Sequence, residues 1–359
     1  MRKELISIGP DSGNDLNQVE EGTMPTIDAD AHVIECEQTW FYIKDEKLRP
    51  YMINPGAGRP QNWLVDGRVF NRGVNLARNL PLDICEMRDI SGRLRHMDEL
   101  DIDVQVLYPS LFLRPLTAKA EVEQAICRSY NQWLIDICGK SEGRLRWIAV
   151  VPVIDIDNAV SELQFAKANG TCGIFMRGLV DDKRLSHPYF FPLYEAAEKA
   201  NLPICVHAST GNFDWVQLFD GESGFMRFKA PVLSAFHAIV HDGIPQKFPG
   251  LRFGFIEVRA QWVPYMAVEI ARRFNRADNT VARSLIRDNH VYVACQTDDD
   301  LPYVLKYSGE DNIVIGSDYG HNDTSTEIGA LRTLKSKGEV EPRVIDKILY
   351  DNAKALYGI

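Results

Sequence analysis

No stretch of this 359-residue chain approaches the roughly 18 consecutive apolar residues of a membrane-crossing helix, so no transmembrane segment is expected. The opening residues, MRKELISIGPDSGNDLNQVEEGTMP, hold no apolar signal core. No Cys-x-x-Cys pair occurs among the seven cysteines, Cys36, Cys85, Cys127, Cys138, Cys172, Cys205 and Cys295. Their number is odd, and Cys172 and Cys205 sit inside apolar runs. They are expected to be reduced, buried thiols of a cytoplasmic protein rather than a disulfide framework. Positive charge is in short supply, with 40 Lys and Arg against 50 Asp and Glu and a net charge of −10. That balance argues against nucleic acid or an anionic membrane as partner, and no basic–aromatic interleaving suited to single strands is present. What remains is globular composition, 25% charged and 45% hydrophobic, which excludes a largely disordered chain.

Eight short runs rich in β-formers recur: TIDADAH (26–32), VQVLYPS (104–110), LRWIAVVPV (145–153), CGIFMRG (172–178), PICVHAS (203–209), LRFGFIE (251–257), HVYVACQ (290–296) and IVIGSDY (313–319). Nearly continuous apolar runs suit parallel strands covered on both faces. Helical patterns follow most of them, as in 121–143, 158–170 and 191–203. Eight strands alternating with helices predict an α/β fold, a (β/α)8 barrel. An open doubly wound sheet is the weaker alternative, because no glycine-rich dinucleotide turn follows the first strand. Residues 1–24 are polar and read as a mobile tail, and 25–359 as a single barrel domain. The largest gap, about 33–95, reads as an insertion after the first strand, a lid or interface. It contains a hairpin around Asp66-Gly67, and its aromatic stretch 39–46 suits lid or dimer contacts.

In such barrels the active site lies at the C-terminal strand ends. The first run ends in Asp30-Ala31-His32, the fourth in Arg177, the fifth in His207, the sixth in Glu257 and the eighth in Asp318. Residues two apart on a strand share a face, so Asp30 and His32 point to one centre, where His207, Glu257 and Asp318 converge. Taken singly, Asp30 suits a turn, His207 a hydrogen-bonded core histidine and Glu257 a pair with Arg252 or Arg259. Four apolar strands ending in ligand-type residues at one level favour a nitrogen/oxygen shell for a divalent metal, zinc first, with manganese or iron, and two ions, as the alternative.

The segments IDADAHVIE (27–35), HPYFFPLYEAAEKANLPICVH (187–207), KFPGLRFGFIE with WVPY (247–265), and NIVIGSDYGHND (312–323) resemble the amidohydrolase superfamily. The likeness is to the branch holding aminocarboxymuconate-semialdehyde and gamma-resorcylate decarboxylases; the 2-aminoisobutyrate hydroxylase subunits also look like this branch. The resemblance implies metal roles for Asp30, His32, His207 and Asp318, with Asp318 also able to take a proton from bound water. It departs at Glu257, where the best-known decarboxylases of the branch carry a histidine. A carboxylate there suits an acid/base group or a bridge to a second ion.

Other candidates stay open at this stage. His237 and His241, at i and i+4 on one helix, are extra ligands or acid/base groups, or simply hydrogen-bond the backbone. His321 touches substrate or is a loop residue, and Glu35 orients a ligand or is a solvated charge. Arg177 clamps a substrate carboxylate or closes a salt bridge. Tyr108 lines the pocket or packs in the core, and His96 reads as structural. The leading expectation is hydrolysis of a small organic acid or amide by metal-activated water. Nonoxidative decarboxylation, two-ion Mn/Fe oxygenation and a non-catalytic partner subunit are the alternatives. A homodimer, or an assembly with a related chain, is the expected quaternary form.

Overall fold

The computed structural model describes residues 24–53, 61–72, 75–274 and 279–359. The tail expected over 1–24 lies outside them except for Met24. All eight expected runs form strands: β1 Ile27–His32, β2 Val104–Tyr108, β3 Leu145–Ala149, β4 Gly173–Arg177, β5 Ile204–His207, β6 Phe253–Ile256, β7 Val291–Cys295 and β8 Ile313–Ile315. They pair in sequence order, each neighbour parallel. The cylinder closes where Asp318 N donates to Asp30 O (2.9 Å) and His32 N to Tyr319 O (2.7 Å). Gly316 permits this approach, because a Cβ there would lie 2.2 Å from that of Asp30.

Helices clothe the cylinder: α1 Ile90–Glu99, α2 Ala120–Cys138, α3 Ile156–Ala168, α4 Phe191–Lys199, α5 Ala230–His241, α6 Val263–Arg273, α7 Leu301–Ser308, α8 Ala330–Lys337 and α9 Asn352–Tyr357. Their starts are written locally. Asp89, Asp155 and Asp300 each cap a first turn with a side-chain oxygen. No helix among the described residues is long and apolar enough to cross a membrane, and all seven cysteines are free thiols.

Between β1 and α1 the chain builds a three-stranded antiparallel sheet from Tyr51–Ile53, Asn62–Val65 and Arg68–Asn71. Asp66 and Gly67 at the hairpin tip both take positive φ (47° and 75°), the two-residue turn that matches strand twist. Asp66 accepts from Thr117 Oγ1 (2.7 Å) and Lys119 Nζ (2.5 Å), which ties the tip to the loop after β2.

Candidate metal centre

Strand alternation turns Asp28, Asp30 and His32 of β1 to one face, and all three are buried. His32 Nδ1 donates to Pro109 O (3.0 Å), which leaves Nε2 with a lone pair. That Nε2 is buried with no hydrogen-bond partner. It lies 3.4 Å from Asp30 Oδ1 and 3.4 Å from Asp318 Oδ1. Three electron pairs therefore face one another out of water. Protonating the ring is no remedy, since burial, and then His321, push His32 down to about 3. A cation is what such a donor set lacks.

The other strands complete the set. His207, at the end of β5, brings Nε2 to 3.1 Å from Asp30 Oδ1 and Nδ1 to 3.4 Å from Glu257 Oε2. Burial opposes charge on both His207 and Asp30. Their mutual attraction outweighs it, raising the histidine and lowering the carboxyl. Glu257 follows β6 and Asp318 follows β8, both at positive φ (62° and 52°), a strained conformation for residues with a Cβ. Burial, and then Asp318, hold the Glu257 carboxyl well above the ordinary carboxylate range; burial, and then Asp323, do the same to Asp318. Asp318 accepts from Thr326 Oγ1 (2.6 Å), and its Oδ1 lies 2.8 Å from His321 Nδ1. Two overlapping quartets result, Asp30–His32–His207–Glu257 and His32–Glu257–Asp318–His321. Within each, the donor atoms lie within 4.8 Å of one another.

A supporting shell surrounds them. His321 stacks on His32 with ring centres 3.8 Å apart and meets Ser110 Oγ at 2.8 Å. The Glu35 carboxylate accepts from Ser110 N (3.1 Å) and Leu111 N (2.9 Å), so it orients the loop that holds His321. Asp28, which sequence reasoning passed over, accepts from Ser317 N and Oγ and from Gln105 Nε2, and burial pushes it up to about 6. Its signal was in the sequence, two residues before Asp30 on the same face. Ser110 and Thr326 sit on loops, where no periodicity points to them.

Four candidates are placed elsewhere. His237 and His241 stack on each other (5.1 Å) on α5, and His241 stacks on Phe274 (5.4 Å) and bonds Asp242. Their shared face is directed at the α6 end, so neither serves the centre. Tyr108 is fully buried; its hydroxyl pairs with Tyr357 (2.9 Å) and its ring packs on His207, so it is wall rather than pocket lining. Arg177 lines, with Glu123 of α2, a small cavity whose walls include none of the donor residues; burial lowers it against the pull of Glu123, and its Nε is buried without a hydrogen-bond partner. His96, structural as expected, bonds Tyr319.

Comparison with known proteins agrees with the barrel fold. The 2-amino-3-carboxymuconate-6-semialdehyde decarboxylase of Dictyostelium discoideum is 21% identical over 247 residues, 64% of this chain and 66% of that protein. A gamma-resorcylate decarboxylase of a Polaromonas species is 25% identical over 194 residues, 50% of this chain and 59% of that protein. The match thus spans less than two thirds of either relative's own length. An amidohydrolase of Mycobacterium avium subsp. paratuberculosis superposes with a TM-score of 0.76 at 19% identity, covering 94% of this chain and 98% of that one. A dihydroxybenzoic acid decarboxylase of Polaromonas sp., solved with manganese and 2-nitroresorcinol, gives 0.65 at 16% identity, covering 93% and 97%. The Amidohydrolase family model matches residues 27–359. The chain belongs to the amidohydrolase family.

Proposed function

We propose that this chain is a metal-dependent decarboxylase of a small organic acid, with one divalent ion held by Asp30, His32, His207 and Asp318. The observation that carries the reading is the place of Glu257, which follows β6 at the edge of the donor set with its Oε2 3.4 Å from His207 Nδ1, beside the pocket where an ion would sit. A bound ion supplies Lewis acidity toward substrate oxygens. The chain's own residues supply the proton. When the bond to the departing carboxylate breaks, its electron pair stays on carbon, and Glu257 gives that carbon a proton that solvent then restores. Asp318, tied to Thr326 and His321, stays fixed while this happens. Both curated relatives are named as decarboxylases, which moves hydrolysis, the first expectation from the sequence, to second place.

The test has two readouts. The Mn-loaded and Zn-loaded chains are incubated in D2O with hydroxybenzoates and muconate-type acids, and metal is counted per chain. The reading requires released CO2, one deuterium on the vacated carbon and one ion per chain. Glu257→Gln keeps that ion and loses turnover. Two ions per chain, one of them lost in Glu257→Gln, would replace this reading with a binuclear hydrolase or oxygenase.

A further inference from the structure

The turn that carries Glu257 is strained twice over. Glu257 and Arg259 both hold positive φ (62° and 60°), two residues apart, and neither is glycine. Such a backbone persists only where its surroundings over-determine it. Before the turn, Ile256 O accepts from Ala208 N (3.0 Å), the residue after His207. Beyond it, three consecutive aspartates that follow β7 meet three consecutive residues of the turn. Asp298 pairs with Arg259. Asp299 Oδ2 accepts from Ala260 N (2.8 Å). The Asp300 amide donates to Gln261 Oε1 (2.9 Å), while the Asp300 carboxylate caps α7.

These three contacts differ in weight. The Arg259–Asp298 pair is partly exposed, where water competes with it. The Asp300 contact ends on the exposed Gln261 side chain. Asp299 is 2% exposed, and its Oδ2 also accepts from Gln296 N (2.9 Å) at the end of β7. One buried carboxylate oxygen thus spans the loops after β6 and β7. Gln296 passes the link on, its Nε2 donating to Ser325 O (2.8 Å) in the loop after Asp318. Among the described residues no lysine or arginine reaches ion-pair distance of Asp299, and its Oδ1 is buried without a hydrogen-bond partner. A carboxylate so placed is costly as mere packing. What it provides is a fixed separation between two loops. It belongs to neither donor quartet.

We infer that Asp299 is a positioning residue for Glu257. Its carboxylate, with Asp298 and Asp300 on either side, holds the left-handed turn after β6 and so sets Glu257 Oε2 3.4 Å from His207 Nδ1. The inference rests on the proposed function for what Glu257 does, but only on the turn for where Glu257 stands.

The test reads Glu257 directly. The full chain, loaded with zinc and carrying carbon-13 at its glutamate carboxyls, gives a Glu257 resonance identified by its absence in Glu257→Gln. Asp299→Ala should move that resonance by more than its linewidth while the ion count per chain stays at the wild-type level. Asp299→Asn keeps an oxygen for both amides and should hold the resonance near its wild-type place. Gln261→Ala, an exposed change, should move it less, and serves should Asp299→Ala fold poorly. In turnover, Asp299→Ala is expected to lower kcat about tenfold or more with KM little changed, and to add no loss on top of Glu257→Gln. A resonance unmoved in both Asp299→Ala and Gln261→Ala, or a loss that adds in full to that of Glu257→Gln, overturns the inference. A resonance that answers to Asp299 in a chain that releases no CO2 overturns the proposed function and keeps the positioning role.

Discussion

Two parts of this barrel bury carboxylates, and they treat them differently. On the flank between α2 and α3, Glu162 is 2% exposed but fully answered, by Arg128 Nε at 2.7 Å and Asn131 Nδ2 at 2.8 Å. Asn131 also exchanges hydrogen bonds with Val150 at the end of β3. At the mouth formed by β1, β5, β6 and β8, Asp30, Glu257 and Asp318 are also buried, but they crowd one another and the His32 and His207 rings, with no arginine or lysine among their partners in the described residues and Thr326 the hydroxyl that donates to Asp318. The first arrangement is what a stable wall needs. The second makes sense only with an added cation, so unanswered burial, rather than burial itself, marks the working end.

The widest separation of the two regions comes from His207→Ala. It should remove the ion and bring turnover to background, while far-ultraviolet circular dichroism stays that of the parent; full metal occupancy in that variant would defeat the assignment. Opposite signs are expected when one carboxylate is neutralised on each side of the chelator-treated protein. Glu162→Ala should cost about 3 kcal/mol in urea unfolding, since it strips partners from Asn131 and Arg128. Asp318→Asn should instead stabilise the ion-free fold by about 1–3 kcal/mol. Equal destabilisation by both would erase the contrast drawn here.

Glu123 provides the finest test. Burial raises it from 4.5 to about 7. An acid whose folded value lies above its unfolded value binds more protons when folded, so its contribution is complete below pH 4.5 and is lost as pH rises toward 7. Stability should therefore fall across that window by on the order of 3 kcal/mol from this group. Glu123→Gln should flatten the slope, measured by urea midpoints at intervals of pH.

The barrel itself was legible because strands covered on both faces read as apolar runs. For the same reason, the charged residues that end β1, β5, β6 and β8 stood out. Spacing alone could not say where a helix face points: His237 and His241 do share a face, as i and i+4 require, but that face looks away from the centre. Strand position likewise did not reveal that Arg177 shares a small cavity with Glu123 of α2. Ser110 and Thr326 were invisible because loops carry no period, and their place emerges only once the loops after β2 and β8 meet at His321 and Asp318.

The join between β1 and β8 has a consequence for how the protein comes into being. Asp28 and Ser317, bonded to each other across that join, lie 289 positions apart, and the donors Asp30 and Asp318 flank the same contact. A chain still being synthesised can hold Asp30 beside His207, but it has no Asp318 to offer until its last strand arrives. On the proposed ligand set, ion capture would then come late in biogenesis: a chain cut short before the eighth strand should be left with a partial, weakly binding pocket.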